Sequence, residues 1–354
     1  MSREDALRWT PPESWVRVRT IDAHAGGEPL RIILDGFPEF GESAILERRR
    51  MARVSHDALR TALMWEPRGH ADMYGCLVTP AVTEGADFGV LFLHNEGWST
   101  MCGHGIIAVT KVAVEAGLIP SNPDDECDRV VRIDSPAGLI TATAHVKSGT
   151  VASVSFRNVP SFVVDLDNAV DVPDIGSVCY DLAFGGAFYA YVEAADVGLT
   201  CAPEEHDRLI DVGMRIKRAV MGSRTIEHPF EEDLGFLYGT IFIAPPLTPG
   251  ADSRNVCIFA EGEVDRSPTG TGVSGRMALH YARGEVELDE PLVIESIIGS
   301  RFTGRVVERT TFGPHEAVIP DVEGTAHITG VHTFLIDPED PLRDGFILRQ
   351  PCGR

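Results

Sequence analysis

Trp98-Ser99-Thr100-Met101-Cys102-Gly103-His104-Gly105 decides how this chain is read, because its last four residues have a counterpart in Thr269-Gly270-Thr271-Gly272. Each stretch leads into a run of small and apolar residues suited to a buried helix. A second pair of matches, Asp134-Ser135-Pro136-Ala137-Gly138 with Glu295-Ser296-Ile297-Ile298-Gly299, follows in the same order and at similar spacing. Taken singly, each match is open to chance, since Gly and Ser are common. Together they point to an internal repeat and hence to two related α/β halves.

The two loops carry the chemistry. A helix N-terminus presents unpaired N–H groups and a partial positive charge. At Cys102 this is expected to lower the thiol pKa from its free value of about 8.5. Gly103 and Gly105 lack side chains, so a ligand can approach the backbone, which makes an anion-binding nest. Alone, the loop fits a buried inert cysteine equally well. Asp265-Arg266-Ser267-Pro268-Thr269-Gly270-Thr271-Gly272 repeats the construction with a hydroxyl in place of the thiol. Alone it reads as an ordinary helix cap.

If the halves face each other, both helix N-termini point into one cleft. Their N–H groups would hold a single carboxylate, with Cys102 and Thr269 flanking the neighbouring carbon. That suits removal of the α-proton of an amino acid, because fixed dipoles stabilise the charge that develops. No metal, pyridoxal or nucleotide cofactor is called for. The chain has no convincing metal-ligand spacing, Walker loop or G-x-G-x-x-G.

Composition narrows the partners. The 354 residues are 44% hydrophobic and 24% charged, which fits a globular chain of two domains. The formal net charge of -22 disfavours nucleic acid and anionic membranes, which need clustered Lys and Arg. An acidic protein that binds a carboxylate must therefore use local dipoles. The seven cysteines are odd in number and form no C-x-x-C pair, which fits reduced thiols in the cytoplasm. The stretch Met1–Trp15 has no apolar core of the signal-peptide kind, and no apolar run reaches membrane-spanning length.

Along the chain, Met1–Ser14 reads as a loose arm. Val16–Leu34 reads as strand, Gly-rich turn and strand. Glu42–Met64 is predicted as one helix, Gly89–His94 as a strand, and Ile106–Ala116 as a buried helix stopped by Gly117. Val130–Phe156 reads as strands. Pro203–Met221 has Leu209, Val212, Ile216 and Val220 at helical spacing, with Pro203 in the first turn. Phe236–Ala244 reads as a strand, Val273–Arg283 as a helix, and Leu292–Val307 and Glu316–Leu335 as strands.

These residues resemble the proline racemase family. Its two signatures look like M-C-G-H-G and D-R-S-P-C-G-T-G, standing here as Met101–Gly105 and Asp265–Gly272. Asp22–Pro29, Pro67–Gly75 and Gly185–Ala190 agree as well, so the likeness spans nearly the whole chain. The resemblance implies a diaminopimelate epimerase-like α/β (α+β) fold. Two pseudo-symmetric halves would each wrap a curved sheet around a central helix: residues 15–160 with 335–354 around the Cys102 loop, and 161–334 around the Thr269 loop. It implies that Cys102 is the catalytic base and that Gly103, His104, Asp265, Gly270 and Thr271 contact substrate, with Asp265 receiving the ring ammonium. His24, His70 and Asp72 are either supporting or merely structural. The resemblance is compatible with a homodimer acting on a small amino acid.

One departure decides the expected reaction. The family signature has a cysteine where this chain has Thr269. A racemase needs an acid/base on each face of the α-carbon, and a hydroxyl is a poor base unless activated. The resemblance therefore implies dehydration of trans-3-hydroxy-L-proline, in which one acid/base suffices. Racemisation of proline or epimerisation of 4-hydroxyproline is the alternative. A thiol hydrolase using Cys102 and a histidine is disfavoured, because His104 lies only two residues away and its ring need not reach the sulfur. A binding protein that keeps the pocket without turnover is the remaining reading.

Overall fold

A computed structural model describes residues 3–4, 8–119 and 127–348. Met1, Ser2 and residues 5–7 of the expected arm, the last residues of the 335–354 segment, and Cys352 lie outside them.

The strands belong to one 17-stranded sheet, whose pairings form two rings. In the first, β1 (Val16–Ala25) and β2 (Glu28–Asp35) form an antiparallel hairpin. β2 then pairs with β3 (Tyr74–Thr79), β3 with β4 (Phe88–His94) and β4 with β5 (Arg129–Ser135). β6 (Gly138–Lys147) and β7 (Thr150–Arg157) continue the order. The second ring runs from β8 (Ser161–Val172) through β9 (Gly176–Phe184), β10 (Phe188–Glu193), β11 (Leu237–Ala244) and β12 (Ser253–Phe259). β12 also pairs with the short β13 (Glu263–Val264). The ring continues through β14 (Leu292–Glu295) and β15 (Arg301–Phe312).

Two late strands close both rings. β16 (His315–Gly324) pairs with β15 and β8 in the second ring and with β7 in the first. β17 (Ala326–Ile336) follows almost at once and pairs with β1. The expected α/β architecture of two halves, each a sheet curved around a helix, is what the chain adopts.

The first ring encloses α3 (Gly103–Glu115), every residue of which is buried from Gly103 to Val114. A helix apolar on all sides must be wrapped on all sides. Its one buried charge, Lys111, reaches Glu115 Oε1 at 2.8 Å and the Val151 carbonyl at 2.7 Å. The second ring encloses α5 (Gly270–Ala282). Small residues let the wall come close: Tyr191 donates its hydroxyl to the Gly272 carbonyl at 2.9 Å, over the bare Gly275.

The remaining helices lie outside the rings. The single helix predicted over Glu42–Met64 is two, α1 (Ile45–Ser55) and α2 (Asp57–Met64), broken at His56. Asp57 starts the second: its carboxylate takes the Arg60 guanidinium at 2.7 Å and the Trp98 indole N–H at 3.0 Å. α4 (His206–Ser223) buries Leu209, Ile216 and Val220 as the spacing predicts. Pro203 opens a short 3-10 turn before it rather than the helix itself.

Candidate active site

The two central helices meet at their N-termini. A Cβ on Gly103 would stand 2.5 Å from the Gly270 Cα, and one on Gly270 would stand 2.7 Å from the Gly103 Cα. No side chain fits there, so the backbones touch. The residue before each glycine is the helix N-cap: Cys102 for α3 and Thr269 for α5. Both line one small pocket, together with Gly103, His104, Asp265, Gly270 and Thr271. The seven residues expected to be catalytic or to contact substrate thus line one cavity. The first N–H groups of both helices have no intrahelical acceptor, and the residues that carry them line this pocket.

Cys102 is 5% exposed, and its sulfur accepts the Gly105 N–H at 3.3 Å. The expected lowering of its pKa is not what the closed pocket gives. Burial pushes the thiol well above its ordinary value, and the Gly105 N–H pulls only partly back. The nearby carboxylates of Asp265 and Glu28 push in the same direction as burial. A helix dipole acts within a turn, whereas loss of water penalises the thiolate outright.

The His104 ring also departs from expectation. It does reach the sulfur, with Nδ1 3.1 Å from Cys102 Sγ. Burial brings the imidazole down to about 4, so it stands neutral beside the thiol near neutral pH. Asp265 is buried, and one carboxylate oxygen accepts the Ser267 N–H at 2.7 Å.

Thr269 is held in an unusual state. Its φ of 66° lies in the left-handed region, where a β-branched residue is a rare outlier. Its hydroxyl is buried and makes no conventional hydrogen bond among the described residues. The Cys257 thiol is the polar group with which it interacts. Backbone strain at a residue that lines the pocket marks a position held for a purpose other than stability.

The rest of the wall was not legible from the motifs. Tyr74, Tyr189, Tyr238, Phe259 and Cys257 line the pocket as well. Tyr238 stacks on Phe259, with centroids 5.4 Å apart and planes 13° apart. Tyr189 shares a 2.8 Å hydrogen bond with Thr271 Oγ1. The signal for Tyr74 and Tyr189 was their place inside the Pro67–Gly75 and Gly185–Ala190 stretches. Cys257, Tyr238 and Phe259 stand in ordinary strand sequence.

His24, His70 and Asp72 do not line the pocket. His24 Nδ1 accepts the Gly27 N–H at 3.3 Å, and exposed His70 contacts the Ala71 carbonyl. Asp72 takes part in a cross-ring anchor. Arg266, next to Asp265, binds Glu28 at 3.0 Å and lies 3.7 Å from Asp72. Burial pushes the Glu28 carboxyl well up, against the pull of Arg266. Among the described residues, no group of three or more His, Cys, Asp or Glu side chains is placed to hold a metal ion.

Two wrapped helices abutting over a buried thiol define a two-half enzyme fold with its site between the halves. The chain belongs to the proline racemase family: a model described as proline racemase matches residues 20–347. A trans-3-hydroxy-L-proline dehydratase of Colwellia psychrerythraea is 48% identical, the alignment covering 97% of this chain and 96% of that one. The Homo sapiens protein of that name is 45% identical, over 93% and 94%. A 3-hydroxyproline 2-epimerase of Burkholderia multivorans is 44% identical, over 93% and 98%. Among solved structures, a hydroxyproline epimerase from Agrobacterium vitis, with bound trans-4-OH-L-proline, aligns with a TM-score of 0.89 at 31% identity. That alignment covers 97% of this chain and 98% of the other.

Proposed function

We propose that this protein is a trans-3-hydroxy-L-proline dehydratase, a cofactor-independent hydro-lyase. The observation that carries the reading is the asymmetry of the two N-caps: a thiol at Cys102 and a hydroxyl at Thr269, in one pocket. A base on one face only can eliminate water but is poorly equipped to invert the α-carbon. The relatives named as dehydratases support the same choice.

In this reading the carboxylate sits on the N–H groups of Gly103, His104, Gly270 and Thr271, and Asp265 holds the ring ammonium. Charge that spreads onto the carboxylate as the α-proton leaves is met by dipoles already in place. The ammonium, brought beside the sulfur, opposes the burial that keeps Cys102 protonated. In trans-3-hydroxy-L-proline the carboxylate and hydroxyl lie on opposite ring faces, so the α-proton and hydroxyl share one. Cys102 removes the proton from that face, and the 3-hydroxyl departs from it in a syn elimination. Thr269 serves as an orienting hydrogen-bond donor on the other side. The product is Δ2-pyrroline-2-carboxylate, which tautomerises to the Δ1 imine.

The half carrying Cys102, expected as residues 15–160 with 335–354 but taking in all of β17 through its pairing with β1, and the half carrying Thr269, expected as residues 161–334, would close over the substrate. Six free cysteines among the described residues fit the cytoplasm as the site of action, and the family resemblance fits a homodimer.

Proton NMR in deuterated water tests the reading, with trans-3-hydroxy-L-proline, trans-4-hydroxy-L-proline and L-proline each supplied to the enzyme. The expected result is conversion of the first to a pyrroline carboxylate while the others keep their configuration. Inversion of the second or third would replace the dehydratase by the epimerase or racemase.

A further inference from the structure

Tyr74, the first residue of β3, is 3% exposed and lines the pocket beside Cys102. Its ring meets the His104 ring edge-on at 4.9 Å and stacks on His94 at 5.4 Å, so its orientation is fixed. Its hydroxyl stands 2.5 Å from Ser99 Oγ and 3.1 Å from the Tyr238 hydroxyl. A phenol oxygen accepts hydrogen bonds but donates only one. When Ser99 and Tyr238 both donate to it, the Tyr74 proton is left for the cavity, which Cys102 also lines.

We propose that Tyr74 is a further catalytic residue, donating its phenol proton to the 3-hydroxyl as that group departs. The assignment rests on the dehydratase reading and deepens it. A base at Cys102 that reaches the α-proton has the 3-hydroxyl on its own side of the ring. Tyr74 lines the same pocket as Cys102, with its ring edge-on to the His104 ring that touches the sulfur.

The step balances without any further reagent. The Cys102 thiolate forms an S–H bond with the α-proton, and the C–H electron pair becomes the C2=C3 double bond. The C3–O bond breaks with its pair going to oxygen, and the Tyr74 proton completes a water molecule. The phenolate then recovers a proton from the Cys102 thiol beside it, which restores both groups.

His104 is the competing donor. Its imidazole is uncharged near neutral pH and already engaged with the sulfur at 3.1 Å. Burial pushes the Tyr74 phenol well up, so it carries its proton at any working pH. The Tyr189 hydroxyl is paired with Thr271 instead.

Tyr74→Phe removes one oxygen and keeps the ring packed on His94 and His104. We expect kcat for trans-3-hydroxy-L-proline to fall about 100-fold, the scale of a lost general acid, with KM within a few-fold of wild type. The α-deuterium isotope effect on kcat should stay equal or shrink, because C–O cleavage becomes the slower event. Ser99→Ala, which removes only an orienting donor, should cost less than Tyr74→Phe. A Tyr74→Phe enzyme within tenfold of wild-type kcat would overturn the assignment in favour of His104 or the thiol itself. So would a slow variant with an enlarged isotope effect, since removal of the α-proton would then be what was damaged. Failure of the wild-type enzyme to form any pyrroline product would instead sink the dehydratase reading on which the assignment rests.

Discussion

Gly103 and Gly270 touch through their backbones, each lying at the first turn of the helix at the centre of its ring. This contact brings the two N-caps into one pocket. Residues more than a hundred positions apart become partners because neither carries a Cβ. Alanine at either position would force the helices apart by the width of a methyl group. The expected cost is about 1–3 kcal/mol of stability, as for other overpacked cores. Turnover should fall by a larger factor than KM rises, since the pocket residues would be misaligned. Thermal unfolding and steady-state kinetics of Gly103→Ala and Gly270→Ala would check both parts.

Cys102→Ser replaces the thiol by a hydroxyl that is a poor base. Dehydration should drop by at least about 100-fold, with circular dichroism and melting temperature close to wild type. Activity near the wild-type level would remove Cys102 from its proposed role.

Thr269 allows its hydroxyl to be separated from its backbone. Thr269→Gly relieves a left-handed conformation that costs roughly 1–2 kcal/mol for a residue with a side chain. The variant should be as stable as wild type or more so, while turnover falls because the orienting donor is gone. Thr269→Ser, which keeps the hydroxyl, should retain more activity than Thr269→Gly. Equal activity in the two variants would mean that the hydroxyl plays no part.

His104 predicts an acid limb of stability. Its folded pKa of about 4 lies below the ordinary imidazole value of 6.5, so the unfolded chain binds a proton that the folded chain refuses. The stability it permits is full above pH 6.5 and is lost as pH falls toward 4. The loss is on the order of 3 kcal/mol for this buried group. His104→Asn should flatten that limb in chemical denaturation curves between pH 7 and 4. An unchanged limb would show that other groups carry it.

The reagent accessibility of the thiols follows from the same burial. Cys127 and Cys179 are exposed, whereas Cys102 is buried and held protonated. Among the described cysteines, iodoacetamide at neutral pH should label Cys127 and Cys179 first. Peptide mass spectrometry would give the order, and prior labelling of Cys102 would contradict the closed pocket.

The two related halves and the thiol–hydroxyl pair were readable because backbone needs leave marks in sequence, whereas the sheet curved around each helix was implied by the family resemblance. Gly103 and Gly270 stand at fixed places beside Cys102 and Thr269, and α3 is apolar enough to demand complete enclosure. The aromatic wall was less legible. Tyr238 and Phe259 sit in strands β11 and β12, whose residues are almost all buried, so no alternation distinguishes a pocket-facing side chain from a core one. The direction of the Cys102 shift could not be read either, because sequence shows the dipole but not the loss of water. The helix break at His56 depends on the bonds of Asp57 to Arg60 and Trp98, one of which joins distant parts of the chain.

Strand β17 ends 336 residues into the chain, yet its partner β1 begins at residue 16. The barrel around Cys102 therefore lacks a stave until β17 has been made. A nascent chain can make the second hydroxyl-bearing loop before the first barrel can shut. Such long-range pairing slows folding. It also means that α3, with its thiol, stays incompletely wrapped until β17 has left the ribosome.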